Sequence, residues 1–335
     1  MFFSPNLSKA SREGRSAIHG AKGLLGWTVS LLVLGIGCGA KLRAENALEQ
    51  ARADAPVRFW DFEEKSVPAG AIGRVESAAG PTNRDSHTLP AENRGILLHG
   101  DGGRIEIADR PELRFDAGDT ITIEAWVKID GKAGNGARYI IGKGRDTSSG
   151  SNQNWALRLA HSGASSKLSF LFRSRPEGDH KGDYHRWTST SEVGADGKWH
   201  HIAVTYTFGE ADSIRGYIDG KTTAGRWEAG GATARPPVVD EGSVIIGSSR
   251  GGARGNSFHG ALDGIAIHRR ALPAKRLAAR YRRVVPEPMP PQLTKVEKDE
   301  VLVEIRETGG STNEWPDLDK APDEIFPLTA FSLTS

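Results

Sequence analysis

The chain is almost without cysteine. Cys38 is the only one in 335 residues, which excludes an internal disulfide, a multi-cysteine metal site and covalent haem attachment. It also lacks a long apolar run. The longest, Leu24 to Gly37, has 14 residues and is rich in glycine, short of the roughly 20 that a membrane-spanning helix needs. Helical periodicity is missing except at Ala274 to Tyr281, where Pro273 opens the segment and Leu277 and Tyr281 share a face. Neither charge dominates, with a formal net charge of +2. Neither a basic helix nor an aromatic–basic ladder is seen, so nucleic acid is not expected as a partner.

What is present suits a loop-rich all-β protein: 41 glycines and 17 prolines, with short alternating runs between polar stretches. The charge is spread unevenly. Lys9, Arg12, Arg15 and Lys22 precede the apolar run, and the last 50 residues hold 11 acidic side chains against four basic ones. A basic leader before a 14-residue apolar core is the pattern of an export signal. Three readings stay open for residues 1–44: a signal cleaved after Ala40 or Ala44, a lipoprotein processed at Cys38, or an uncleaved anchor attaching the chain to a membrane through residues 24–38. Each places the rest of the chain outside the cytoplasm.

Residues 45–55 read as a polar linker and residues 64–94 as loop. Val57–Phe62 is the first candidate strand. Gly95–Gly100 and Arg104–Ile107 are expected to pair with each other around Asp101-Gly102-Gly103. Tyr139–Lys143, Trp155–Leu159 and Lys167–Phe172 follow as strands, and residues 173–187 and 225–240 as long polar loops. The clearest pair comes next. Ile202, Val204 and Tyr206 fall on one face, with His201, Ala203 and Thr205 on the other. Ile214 to Ile218 returns antiparallel and ends at the turn Asp219-Gly220. Residues 286–335 differ: a stiff Pro-Glu-Pro-Met-Pro-Pro linker, one isolated candidate strand at Val301–Ile305, and an acidic remainder, read either as a tail or as the start of a further module.

Five stretches, in order, resemble the concanavalin A-like, laminin-G-like jelly-roll family. They are Phe59-Trp60-Asp61-Phe62-Glu63, Ile121 to Lys128 (with Glu124-Ala125-Trp126-Val127), the Trp199 to Lys221 strand pair, Val244-Ile245-Ile246-Gly247, and Phe258 to Leu272 with its Arg270-Ala271-Leu272 turn. The resemblance covers residues 55–285 and implies a two-sheet antiparallel sandwich. It does not imply a ligand, because the fold hosts lectins, adhesion modules, spacers and hydrolases. It does imply a structural calcium, held by Asp263 with Asp61 or Asp101; where the family commonly has Asp-Glu in the closing strand, this chain has Asp263-Gly264.

No catalytic residues are assigned. The hydrolases of the fold carry a Glu-x-Asp-x-x-Glu-type run that sets two carboxylates across the scissile bond. Here Glu124 and Glu106 each stand without a partner carboxylate two residues away, and Asp61 and Glu63 lack a third. No Gly-x-Ser-x-Gly elbow occurs. His200-His201 cannot easily share an ion, since adjacent strand residues diverge, and reads as structural. The expectation is a non-catalytic recognition domain for a glycan or a cell-surface protein, with a structural spacer as the alternative. The loop of residues 173–187 is the expected contact surface, with Tyr184 and Trp187 for stacking and His185 and Arg186 as donors to an anionic sugar.

Overall fold

A computed structural model describes residues 46–130, 137–145, 151–162 and 165–282. The expected export segment with Cys38, the proline-rich linker and the candidate strand at 301–305 lie outside the described residues. Among those described, no helix is long and apolar enough to cross a membrane.

The strands, in chain order, are β1 (Arg58–Trp60), β2 (Ala71–Ile72), β3 (Val75–Ala79), β4 (Arg94–His99), β5 (Arg104–Ile107), β6 (Thr120–Ile129), β7 (Arg138–Lys143) and β8 (Trp155–Ser162). They continue with β9 (Ser165–Arg173), β10 (Tyr184–Val193), β11 (Trp199–Thr207), β12 (Glu210–Ile218), β13 (Lys221–Thr223), β14 (Gly225–Ala229), β15 (Val244–Ile246) and β16 (His259–His268). Two helices, α1 (Ala47–Ala53) and α2 (Ala274–Tyr281), complete the set. The strands form two antiparallel sheets: β13-β12-β11-β6-β16-β4-β3, with β1 also on β16, and β14-β10-β9-β8-β7-β15-β5-β2. This is the expected jelly-roll sandwich.

The core follows from the pleat. Ile202, Val204 and Tyr206 face inward and are at most 1% exposed, meeting Phe170 and Phe172 of the second sheet. Asp219-Gly220 makes the two-residue hairpin turn between β12 and β13, both residues at positive φ (50° and 68°). α2 falls on its expected range.

Several expectations are corrected. β4 and β5 do not pair with each other: the chain crosses between sheets at Asp101-Gly102-Gly103, and β4 joins β16 while β5 joins β15. Residues 71–72 and 75–79 are short edge strands inside the expected loop. The expected linker holds α1, opened by a capping box in which the Asn46 side chain accepts from Glu49 N–H and the Glu49 carboxylate accepts from Asn46 N–H. Residues 225–229 are an edge strand, not loop.

α1 and α2 lie against the outer face of the first sheet and bury a second apolar layer there, containing Ala47, Leu48, Trp126, Trp199 and Ala261. Beneath them is a buried ionic knot. Glu124, at 1% side-chain exposure, accepts from Arg280 Nε at 2.9 Å and from Nε2 of His201 and His268, each at 3.1 Å. Arg280 also pairs with Asp54, at the end of α1, which in turn accepts from Arg276 Nε at 2.6 Å. Burial alone would raise the Glu124 pKa; the Arg280 charge and the two histidine hydrogen bonds outweigh it and hold the carboxyl well below its ordinary value.

Candidate functional site

Strand alternation decides which side chains reach solvent over the second sheet. β10 runs from Tyr184, inside the expected loop, so its residues alternate between faces. Tyr184 and Arg186 point outward, and His185 and Trp187 point into the sandwich. Trp187 is 3% exposed in the main core, its indole packed over Gly216 and Gly225, where a Cβ on Gly225 would sit 2.1 Å from the ring. His185 stacks on Phe172 at 5.0 Å and bonds Ser174 Oγ and the Gly231 carbonyl. Of the four expected contact residues, two are therefore core residues; the pleat separates what the sequence lists side by side.

The outward pair joins residues from three other segments. Pairing aligns Tyr184 with Arg173 of β9, Arg186 with Leu171 and then Ala156, and Thr188 with Ser169, Arg158 and Tyr139 in one row across β10, β9, β8 and β7. Guanidinium groups and phenol rings interleave here. Arg173 lies 5.2 Å and Arg145 5.3 Å from the Tyr184 ring centroid; Arg145 and Arg158 each lie 5.7 Å from that of Tyr139. The Arg145 guanidinium also donates to the Tyr139 hydroxyl. Ala156 and Leu171 supply an apolar floor with Tyr139. Cations over aromatic faces attract by about 0.5–2 kcal/mol each, so the ladder is self-supporting. It also means that Tyr184 is no bare stacking platform: arginines sit over it.

Charge on this face is one-sided. The nearest carboxylate to Arg186 is Glu228, 3.6 Å from its Nε and shared with Arg226. Burial holds the Arg158 pKa below the usual guanidinium value; the nearby Tyr139 opposes this, and the charges of Arg186 and Arg145 add to it. The Nε atoms of Arg145, Arg158 and Arg186 are buried without a hydrogen-bond partner, as are Ser169 Oγ and Thr188 Oγ1.

The residues expected to hold calcium divide. Asp263, on β16, is fully buried, and its Oδ2 accepts from Asn93 Nδ2 at 2.8 Å. Burial pushes its carboxyl well above the ordinary value; Asn93 and the Gly264 N–H oppose this, and the charges of Glu63 and Asp61 add to it. Asp61 thus lies near Asp263, though it is paired with Arg52. Asp101 does not join them: its carboxylate caps Gly103 N–H at the crossover. Asp263 Oδ1 and Asn93 Oδ1 are buried and unpartnered, a pair of hard oxygens that fits a calcium ion in chemistry. Among the described residues, no three His, Cys, Asp or Glu side chains converge on a metal position, so amide and carbonyl oxygens would have to complete the shell. The absent second acid of the closing strand also has a reason. Gly264 has φ 53°, and a Cβ there would meet Leu48 of α1 at 2.7 Å.

The profile of the family described as concanavalin A-like lectin/glucanases superfamily, a laminin G type, matches residues 99–278. The chain belongs to this family. No curated protein matches it. Among solved structures, the binding domain of Paraclostridial Mosquitocidal Protein 1 is similar at 15% identity over 64% of this chain and 45% of that one, with a TM-score of 0.42. The receptor binding domain of botulinum neurotoxin mosaic serotype C/D is similar at 13% identity, 67% and 50% coverage and a TM-score of 0.41. The Ruminococcus gnavus IT-sialidase CBM40 bound to alpha2,3 sialyllactose gives 16% identity, 53% and 96% coverage and a TM-score of 0.35. The chain spans about half the length of the first two. Likenesses this distant assign no ligand to this chain.

Proposed function

We propose that this is a non-catalytic recognition domain of an exported protein, binding a glycan or a glycan-bearing cell-surface partner through the outer face of its second sheet. The observation that carries the reading is the arginine–tyrosine ladder of Arg173, Tyr184, Arg145, Tyr139 and Arg158. A sandwich fixes such a face rigidly, and its mixture of apolar ring edges and fixed donors matches the two sides of a sugar. The carboxylates bear on catalysis as well. Glu124, the acid of the family-like strand, is consumed by Arg280, His201 and His268 beneath the two helices, an arrangement that secures the helices and keeps Glu124 itself from acting on a substrate.

Export through residues 1–44 and a structural calcium at Asp263, Asn93 and the adjacent Asp61 belong to the same reading. The test is a glycan array probed with the full chain, with and without chelator. Binding to a defined glycan class supports recognition; an array blank in both conditions leaves the spacer role.

A further inference from the structure

Three neighbouring polar groups on the outer face of the second sheet have no partner. Thr188 Oγ1 on β10, Ser169 Oγ on β9 and Arg158 Nε on β8 are all buried and unbonded, and their residues are paired in one cross-strand row. Exposures are 2%, 0% and 6%. Leaving a buried hydroxyl or guanidinium N–H unpaired costs about 1–3 kcal/mol each, and three in contact register is a concentrated cost. Arg186 is one residue pair away on β10, and Arg145 reaches over Tyr139, so like charges crowd the same place. Each of these penalties falls if an anion with several acceptor oxygens enters. Hydroxyls and guanidinium groups are donors suited to that ligand, and a neutral hydroxyl of a sugar would leave the charge crowding in place.

We propose that the Thr188–Ser169–Arg158 row, rimmed by Arg186 and Arg145, is a subsite for one oxyanion substituent of the bound glycan, a sulfate ester or a carboxylate. This rests on the recognition reading above and narrows it to acidic glycans. Glu228, 3.6 Å from Arg186 Nε, opposes it, and it sits on the β14 side, away from Arg158.

The experiment is titration calorimetry of the full chain with dextran sulfate, polygalacturonate and unmodified dextran at one fixed ionic strength. The native chain is expected to bind one or both charged polymers and not dextran; which of the two binds identifies sulfate or carboxylate. Arg158→Gln should weaken that binding about ten- to a hundredfold, the worth of a hydrogen-bonding group to a charge. The double variant Ser169→Ala/Thr188→Val removes two unpartnered hydroxyls at nearly constant shape. It should fold at least as stably as the native chain and still lose affinity, so the test survives if Arg158→Gln does not fold. Unchanged charged-polymer affinity in the variants that fold would overturn the subsite, as would failure of both charged polymers to bind. Binding of dextran as tight as that of the charged polymers overturns the subsite but leaves recognition standing; a blank glycan array removes recognition as well.

Discussion

Arg280 and Glu124 form a buried ion pair, Arg280 Nε to Glu124 Oε2 at 2.9 Å, that pins α2 to the middle of β6 with both side chains 1% exposed. Removing one member leaves an uncompensated buried charge. Arg280→Met is expected to cost about 3–5 kcal/mol in denaturant unfolding. Adding Glu124→Gln to that variant should recover part of the loss, because the stranded carboxylate is then gone. A loss that is unchanged or larger in the double variant would show that the pair is not what joins helix and sheet.

Acid stability follows from the same groups. Glu124 is held well below its ordinary pKa, and Asp109, through hydrogen bonds from Arg114 and then Lys143 against the opposing effect of burial, is lowered to about 2. Depressed folded values mean that the unfolded chain binds more protons. Their stabilisation is therefore complete above the unfolded carboxylate range, about 4, and is lost as pH falls through about 2 for Asp109. Thermal unfolding between about pH 5 and pH 2 should show a melting temperature falling with pH, and Asp109→Asn should flatten the lower part of that slope.

Asp263 runs the other way. Its raised folded value makes its contribution complete below the unfolded range and lost as pH rises through the folded value. Calcium takes the ionised carboxylate, so added calcium should raise the melting temperature more at neutral pH than at about pH 4. Asp263→Asn should abolish the calcium response and leave the chelated protein no less stable at neutral pH. An equal calcium response in that variant would exclude this position.

Trp199 belongs to the layer between the helices and the first sheet, at 4% exposure. Trp199→Ala should destabilise by about 3–5 kcal/mol in denaturant unfolding, as large-to-small core changes do. A loss below about 1 kcal/mol would be out of keeping with a buried tryptophan.

The β11–β12 pair, its Asp219-Gly220 turn and α2 were readable because alternation, turn chemistry and helical spacing are local signals. The β4–β5 crossover was not, since a glycine-rich turn looks alike whether the next strand joins the same sheet or the opposite one. Trp187 was misplaced because polar neighbours on both sides hid the alternation of β10. Glu124 looked solitary because its partners, His201, His268 and Arg280, are 77, 144 and 156 residues away in the chain. The ladder of Arg158, Tyr139, Arg145, Tyr184 and Arg173 was invisible for the same reason: sheet pairing assembles it from four strands and a loop residue. Tyr184 and Arg186, both expected as contact residues, were the hints of it in an otherwise mixed stretch.

The most direct measurement of the central claim is a glycan array read with the native chain and with Tyr184→Ala side by side. Tyr184 is half-buried on the outer face and holds Arg145 and Arg173 in the ladder, so its loss disorders the face without opening the core. The native chain should bind at least one glycan class, and the variant should lose that binding while melting within a few degrees of the native protein. Native and variant chains binding the same glycans equally well, or a native chain binding none, would contradict recognition through this face.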